Sequence, residues 1–293
     1  MITRRRFISG AGAVAGCGLA GTTAYGQAEL TVLDQAFVRI ERQSVGRLGV
    51  AVLDVASGAA ADYRGDEKFP LCSTFKLLAA ATVLKRVDQG KEKLDRRIMF
   101  TAGDLVTYSP ATEKHVDDGM TLAGLCEAAI TLSDNTAGNL LLANIGGPAG
   151  LTGFARSLGD TVTRLDRIEP DLNQAIPGDP RDTTTPKAMI GNIRKLVLGT
   201  GLSNSSKKHL TAWLLDNKTG AGKLRAGLPE DWRVGDKTGS GERGTTNEVG
   251  VIWPSHGGPI VFAIYLTETS ATIDRRNATL AAVGQALADA VQR

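Results

Sequence analysis

Three histidines and three cysteines are scattered through 293 residues, and the acidic and basic side chains nearly cancel, at 31 and 34. Each scarcity excludes something. His115, His209 and His256 have no short spacing that would gather them as ligands, so no metal centre and no cofactor are expected. If Cys17 leaves with an N-terminal segment, Cys72 and Cys126 are the one possible pair, too little for a disulfide framework. Both lie in apolar helical runs and read as small buried thiols. Past the N-terminus no stretch reaches the ~18 unbroken apolar residues of a spanning helix, so the body reads as soluble. There is no internal repeat. The formal excess of +3 is carried by Arg4, Arg5 and Arg6, because residues 1–28 contain no acid. The remainder is neutral, so no nucleic acid or other polyanion is expected as a partner, and a monomer is. With 42% hydrophobic residues and 35 glycines the composition is that of an ordinary globular chain, large enough for one domain or two lobes around a shared cleft.

The N-terminus does not read as fold. Thr3-Arg4-Arg5-Arg6-Phe7-Ile8 is a twin-arginine pattern, followed by a small-residue apolar run from Phe7 to Thr22 and a cut point after Gly26-Gln27-Ala28. Residues 1–28 are therefore expected to be a signal peptide, and residues 29–293 the exported, periplasmic domain. Val14-Ala15-Gly16-Cys17 also resembles a lipobox, which would instead anchor the chain by a lipid on Cys17.

Leu48 to Val55 and the polar stretch after it read as a strand and turn opening a sheet. Leu71 to Leu84 is apolar nearly all round and stops before Gly90, as a buried central helix does. Leu122 to Leu132, Thr136 to Ile145, Leu151 to Leu158 and Thr185 to Leu198 are further helical segments. Residues 167–182, with Pro170, Pro177, Gly178 and Pro180, predict a compact loop with its own packing. Arg233 to Ser240, Thr246 to Trp253 and Ile260 to Thr267 read as consecutive strands before a closing helix near Arg276 to Val291. Strands at both ends with helices between predict one sheet built from the two termini and a helical lobe inserted into it.

The chemistry begins at Ser73-Thr74-Phe75-Lys76. A serine hydroxyl is a poor nucleophile near neutrality and needs a base within hydrogen-bond reach, which a lysine at i+3 on a helix supplies. Lys76 falls in the first turn of a buried helix, where the dipole and desolvation both oppose its charge. The same spacing in Ser205-Ser206-Lys207-Lys208 sits in a polar stretch and reads as a solvated loop. Ser133-Asp134-Asn135 precedes a helix and fits an N-cap as well as a site. Lys237-Thr238-Gly239 lies in a strand, where glycine permits close approach of a ligand. Lys218-Thr219-Gly220 repeats those three residues in what reads as a turn.

Taken together and in this order, the Ser-x-x-Lys, Ser-Asp-Asn and Lys-Thr-Gly elements resemble the motif set of class A β-lactamases and penicillin-binding proteins. Glu169-Pro170-Asp171-Leu172-Asn173 is similar to the class A Glu-x-x-Leu-Asn element, which ordinary penicillin-binding transpeptidases lack. The resemblance spans the chain from Leu48 to the terminal helix. It implies an α+β fold, with a five-stranded antiparallel sheet lobe and flanking helices (about 29–66 and 216–293) and an all-helical lobe (about 67–215). The implied function is hydrolysis of the β-lactam amide of penicillins and cephalosporins through an acyl-enzyme on Ser73, conferring antibiotic resistance. The implied partners are the substrate and a catalytic water.

By resemblance, Glu169 with Asn173 would activate the deacylating water, and Lys76 or Glu169 would be the acylation base. Ser133 would pass a proton to the leaving nitrogen, with Lys237 holding it electrostatically. The backbone N–H groups of Ser73 and Ser240 would form the oxyanion hole. Asn135 would take the substrate's acylamide oxygen, Thr238 and Ser240 its carboxylate beside Gly239, and Tyr108 would wall the entrance. Arg167 and Asp182 would close the loop as an ion pair, with a cis bond before Pro170. Many members place an arginine where this chain has Thr246, so the charge facing the substrate carboxylate is expected from Lys223 or Arg276. The run Lys237 to Gly241, followed by Gly244-Thr245-Thr246-Asn247, resembles cefotaxime-hydrolysing members. Gly241 stands where carbapenemases often carry the cysteine that would bridge to Cys72, and Ala80 where a partner for Cys126 would be. Free thiols are therefore expected, and carbapenem turnover less so. Two rivals remain, a cell-wall peptidase and a sensor that stays acylated. Glu169 with Asn173 opposes the first, and the missing membrane span the second.

Overall fold

The two ends of the chain meet in one sheet. The computed structural model describes residues 22–292, with side chains from Leu33 to Gln292; the arginines at 4–6 and Cys17 lie outside the described residues. In chain order the elements are α1 (Thr22–Ser44), β1 (Arg47–Asp54), β2 (Ala60–Tyr63), β3 (Phe69–Pro70), α2 (Phe75–Asp88), β4 (Arg97–Ile98), β5 (Met120–Thr121), α3 (Leu122–Glu127), α4 (Asn135–Ile145), α5 (Gly147–Ser157), β6 (Thr183–Thr184), α6 (Pro186–Ile193), α7 (Asn204–Leu215), β7 (Arg233–Ser240), β8 (Thr246–Trp253), β9 (Ile260–Thr267) and α8 (Ile273–Val291). The main sheet is antiparallel in the order β2-β1-β9-β8-β7. Its central pair joins the first strand to the last, from Arg47 opposite Thr267 to Asp54 opposite Ile260.

Every residue of β9 is buried, as a strand covered on both faces should be. Ile260, Phe262, Ile264 and Leu266 face α1 and α8, whereas Val261, Ala263 and Tyr265 face the helical side. The stripe Leu33, Phe37 and Ile40 seats α1 on the first face. On the second, Leu77, Leu78, Ala79, Ala80, Ala81, Val83 and Leu84 of α2 are completely inaccessible. Each buried leucine there contributes roughly 1.5–3 kcal/mol, which fixes the helix that carries the serine.

The structure corrects several readings. The helix expected from Leu71 opens as a 3-10 turn, Cys72–Thr74, before α2 begins at Phe75. The segment 122–132 is α3 followed by a wide π turn at Ala128–Leu132, and α6 likewise runs into a π turn at Arg194–Leu198. Ser205 to Lys208 is not a loop: it lies in the first turns of α7, capped by Ser203 and held by Leu210, Trp213 and Leu214. Its polar opening hid an apolar stripe that starts only one turn later. Helix α1 and the short ladders β3–β6 and β4–β5 add elements that the sequence pattern did not single out. Among the described residues, no helix is long and apolar enough to cross a membrane.

Candidate active site

Three elements from distant parts of the chain converge beside the start of α2. Leu71-Cys72 turns the chain into the helix, Cys72 taking a left-handed conformation (φ 43°) immediately before Ser73. Such backbone strain in a non-glycine residue costs about 1–3 kcal/mol and persists only where its surroundings enforce it. Here the enforcement is visible: Thr74 Oγ1 donates to Leu71 O at 2.7 Å, and Asn247 Nδ2 on β8 donates to Pro70 O at 2.9 Å. Ser133, also left-handed (φ 60°), ends the π turn before α4. Asp134 serves as the N-cap, accepting from Ala137 N at 2.8 Å, and its other oxygen accepts from Ala111 N and Thr112 N. Ser-Asp-Asn is thus cap and site at once, with Asp134 holding the helix so that Ser133 and Asn135 are free to face Lys76. Lys237-Thr238-Gly239 runs along β7, the edge strand nearest the serine.

The fourth element is the loop 167–182. Arg167 Nε donates to Asp182 Oδ2 at 2.6 Å, while Asp182 Oδ1 accepts from the N–H groups of Asp166 and Arg167, so the expected pair closes the loop. The bond between Glu169 and Pro170 is cis. Asn139, one turn beyond Asn135 on α4, accepts from Glu169 N and donates to Glu169 O, both at 2.9 Å, pinning the backbone of the glutamate. Sequence reading missed Asn139; the signal was a second asparagine four residues on, facing the same way.

The side chains meet closely. Ser73 Oγ lies 3.1 Å from Glu169 Oε1 and 3.0 Å from Lys76 Nζ, which is itself 3.0 Å from the same carboxylate oxygen. Lys76 also donates to Ser133 O at 2.8 Å and Asn135 Oδ1 at 2.6 Å, and Asn135 Nδ2 is held by Thr107 O. Asn173 Nδ2 donates to the other oxygen of Glu169. Lys237 Nζ donates to Ser133 Oγ at 3.0 Å and to Thr238 O at 2.7 Å. Both lysines are fully buried. Desolvation holds Lys76 below the usual lysine range, although Glu169 pulls it back up. It holds Lys237 far lower, helped by the repulsion of Lys76.

These groups open onto a cleft of about 360 Å³ lined by Ser73, Tyr108, Ser133, Asn135, Asn173, Thr219, Lys223, Thr238, Gly239 and Ser240. Tyr108 stands at its rim, more than half exposed. Of the two cations expected near the substrate carboxylate, Lys223 lines the cleft and Arg276 does not. Thr219, from the repeat read as a mere turn, presses its hydroxyl against that of Thr238 and belongs to the lining. Cys72 and Cys126 are free and buried. Gly241 leaves no room beside Cys72, since a Cβ there would stand 2.6 Å from the sulfur. Among the described residues, no cluster of histidine, cysteine or carboxylate side chains could hold a metal ion.

A family model described as the beta-lactamase enzyme family matches residues 32–291. Beta-lactamase CTX-M-8 of Citrobacter amalonaticus is 48% identical over 89% of this chain and 90% of its own length, and beta-lactamase OXY-2 of Klebsiella oxytoca is 49% identical over 88% and 89%. Among solved structures, an ancestral class A beta-lactamase superposes with a TM-score of 0.87 at 63% identity, covering 88% of this chain and 99% of that one. This chain belongs to the class A β-lactamases. A β-lactamase of this class is a serine hydrolase, and its fold is the one it shares with penicillin-binding proteins. That membership removes the peptidase and sensor rivals, and it accounts for why a buried lysine, a buried glutamate and a serine share one hydrogen-bonded cluster in a β-lactamase cleft.

Proposed function

We propose the following division of labour among these residues in β-lactam hydrolysis. Ser73 Oγ attacks the lactam carbonyl carbon, its proton passing to Lys76 or Glu169, both within hydrogen-bond reach. The oxygen of the tetrahedral intermediate sits between the N–H groups of Ser73 and Ser240, the latter at the end of an edge strand whose outward donors the sheet does not use. The carbon–nitrogen bond breaks as Ser133 Oγ gives its proton to the ring nitrogen and takes up in its place the proton that left Ser73, which frees the base for the next step, with Lys237 stabilising the serine oxygen from 3.0 Å. Glu169, steadied by Asn173, then takes a proton from water as its oxygen attacks the ester. The acid product leaves and Ser73 regains its hydrogen.

The observation that carries this reading is that one carboxylate oxygen of Glu169 lies within hydrogen-bond distance of both Ser73 Oγ and Lys76 Nζ. Nitrocefin turnover by the wild type and Glu169→Ala tests it: steady hydrolysis that collapses to a single burst in the variant supports it, and unimpaired turnover overturns it. Asn135 takes the acylamide oxygen, Thr238 and Ser240 take the carboxylate, Lys223 supplies the positive charge behind them, and Tyr108 covers the entrance. Penicillins and cephalosporins are the substrates. The acid-free N-terminus with Arg4-Arg5-Arg6 supports export to the periplasm, with removal of residues 1–28, or alternatively a lipid on Cys17. The mass and N-terminal sequence of the protein in a periplasmic extract decide between them.

A further inference from the structure

Behind the carboxylate corner of the cleft lies a buried set of charges that the hydrolytic steps leave unused. Glu248 on β8 pairs in register with Thr238 on β7, so the two side chains share a sheet face. Glu248 is completely inaccessible. One of its oxygens accepts from Leu224 N at 2.8 Å, and the other accepts no hydrogen bond from any described residue. An ionised carboxylate half unsatisfied in such a place is expensive, whereas a protonated one loses far less. Lys223, one residue before Leu224, lines the cleft and donates to Thr219 O at 2.9 Å, with no carboxylate of the described residues at salt-bridge distance.

The other charges around Glu248 are accounted for. On β7, Asp236 accepts from Arg225 Nε at 2.7 Å and is bonded by Asn217, while burial, only partly offset by Arg225, holds its carboxyl above the usual range. Lys237 points to Ser133. The facing residue on β9 is the apolar Ile264. On α8, Arg276 adds a positive charge that opposes that of Lys223. Burial, reinforced by Asp236, holds the Glu248 carboxyl well above the usual carboxylate range. Burial pushes the Lys223 ammonium down, against the pull of Glu248 and Asp236. Loss of one proton from the Glu248–Lys223 pair, whichever group releases it, takes this corner from one net positive charge to none.

We propose that Glu248 is the charge-setting residue behind the carboxylate subsite: carrying its proton, it leaves the Lys223 ammonium uncompensated for the carboxylate of the substrate, and losing that proton cancels the charge. Glu248 touches no reacting atom; it is a positioning residue acting through Lys223. The proposal rests on the assignment of Lys223 to the carboxylate subsite.

Infrared difference spectra of the wild type against E248Q at neutral pH, together with pH profiles of KM and kcat for benzylpenicillin, test it. A carboxylic-acid carbonyl band that E248Q lacks is expected. The wild-type KM should climb about tenfold more than that of E248Q toward the alkaline limit of stability, the worth of one charge-assisted contact, with kcat following the same course in both. Lys76 and Lys237 titrate in both proteins, so the difference isolates Glu248. With benzylpenicillin methyl ester, which lacks the carboxylate, the profiles should coincide. No acid band, or superimposable KM profiles with the free acid, overturns the proposal. If the band is present but K223Q leaves KM unchanged, the subsite assignment itself fails and the proposal falls with it. Should E248Q not fold, the wild-type band must vanish with rising pH in step with the rise in KM; a band that persists through that rise overturns the idea.

Discussion

Gly138 on α4 backs directly onto the stem of Lys76: a Cβ at this position would stand 2.8 Å from Lys76 Cε. The glycine is in a helix interior, where alanine would ordinarily stabilise by about 1 kcal/mol. It is kept because the lysine needs the space, its ammonium being fixed by Ser73, Ser133 and Asn135. Gly138→Ala is therefore expected to lower kcat/KM for nitrocefin by roughly 10- to 100-fold, since displacements of about 1 Å carry that cost, while thermal stability changes by no more than about 1 kcal/mol. A variant with unchanged kinetics would show that the lysine has slack.

The buried charge of Lys237 gives stability a pH dependence of definite sign. Its folded-state pKa lies well below 10.5, so between the two values the unfolded chain binds the extra proton, and stability rises with pH in that window. Lys237→Met removes this contribution. Denaturant melts of both proteins across the alkaline range should show the wild type gaining on the variant as pH rises, even as the variant loses activity. Parallel curves would mean that the ammonium is not desolvated.

Asp182 is nearly inaccessible and is bonded by the Arg167 guanidinium and two backbone N–H groups. Removing one partner of such a pair strands the other, at a cost of roughly 3–5 kcal/mol when burial is complete and less here, because Arg167 is partly exposed. Asp182→Asn should lower the melting temperature and loosen the loop that holds Glu169. Stopped-flow measurements should then show deacylation slowed more than acylation. Equal slowing of both steps would sink the idea that this pair serves the loop.

Both thiols are inaccessible, and burial pushes each far above the ordinary cysteine range. Protein beginning at residue 29 should therefore react with no aromatic disulfide reagent when native and with two equivalents in denaturant. An intact mass lighter by two hydrogens would reveal a bridge instead.

Much of this site was legible because its chemistry is carried by short local runs. Ser73 and Lys76 are one helical turn apart, Ser133 and Asn135 flank a cap, and the strand holding Lys237 runs from Arg233 to Ser240, the bounds read from the sequence. What stayed hidden depends on contacts made at long range. Thr219 looked like part of a turn because nothing local says that its hydroxyl meets Thr238, nineteen residues later. Asn139 and Glu248 gain their meaning from the loop and strand packed against them. Helix α7 was missed for a local reason, its first turn being entirely polar. The two π turns and the 3-10 start of α2 are departures from regular geometry that hydrophobic periodicity does not resolve.

The pairing of β1 with β9 governs the order in which this protein can be made. The central ladder of its sheet requires the last strand synthesised, and α1 lacks its neighbour until α8 exists. A nascent chain released before β9 has emerged holds two separate hairpins, β1–β2 and β7–β8, and a set of helices with their apolar sides uncovered, which is an aggregation hazard. Late frameshifts, trailing tags and proteolysis at the tail should accordingly be felt far away, at a nucleophile whose own sequence is untouched.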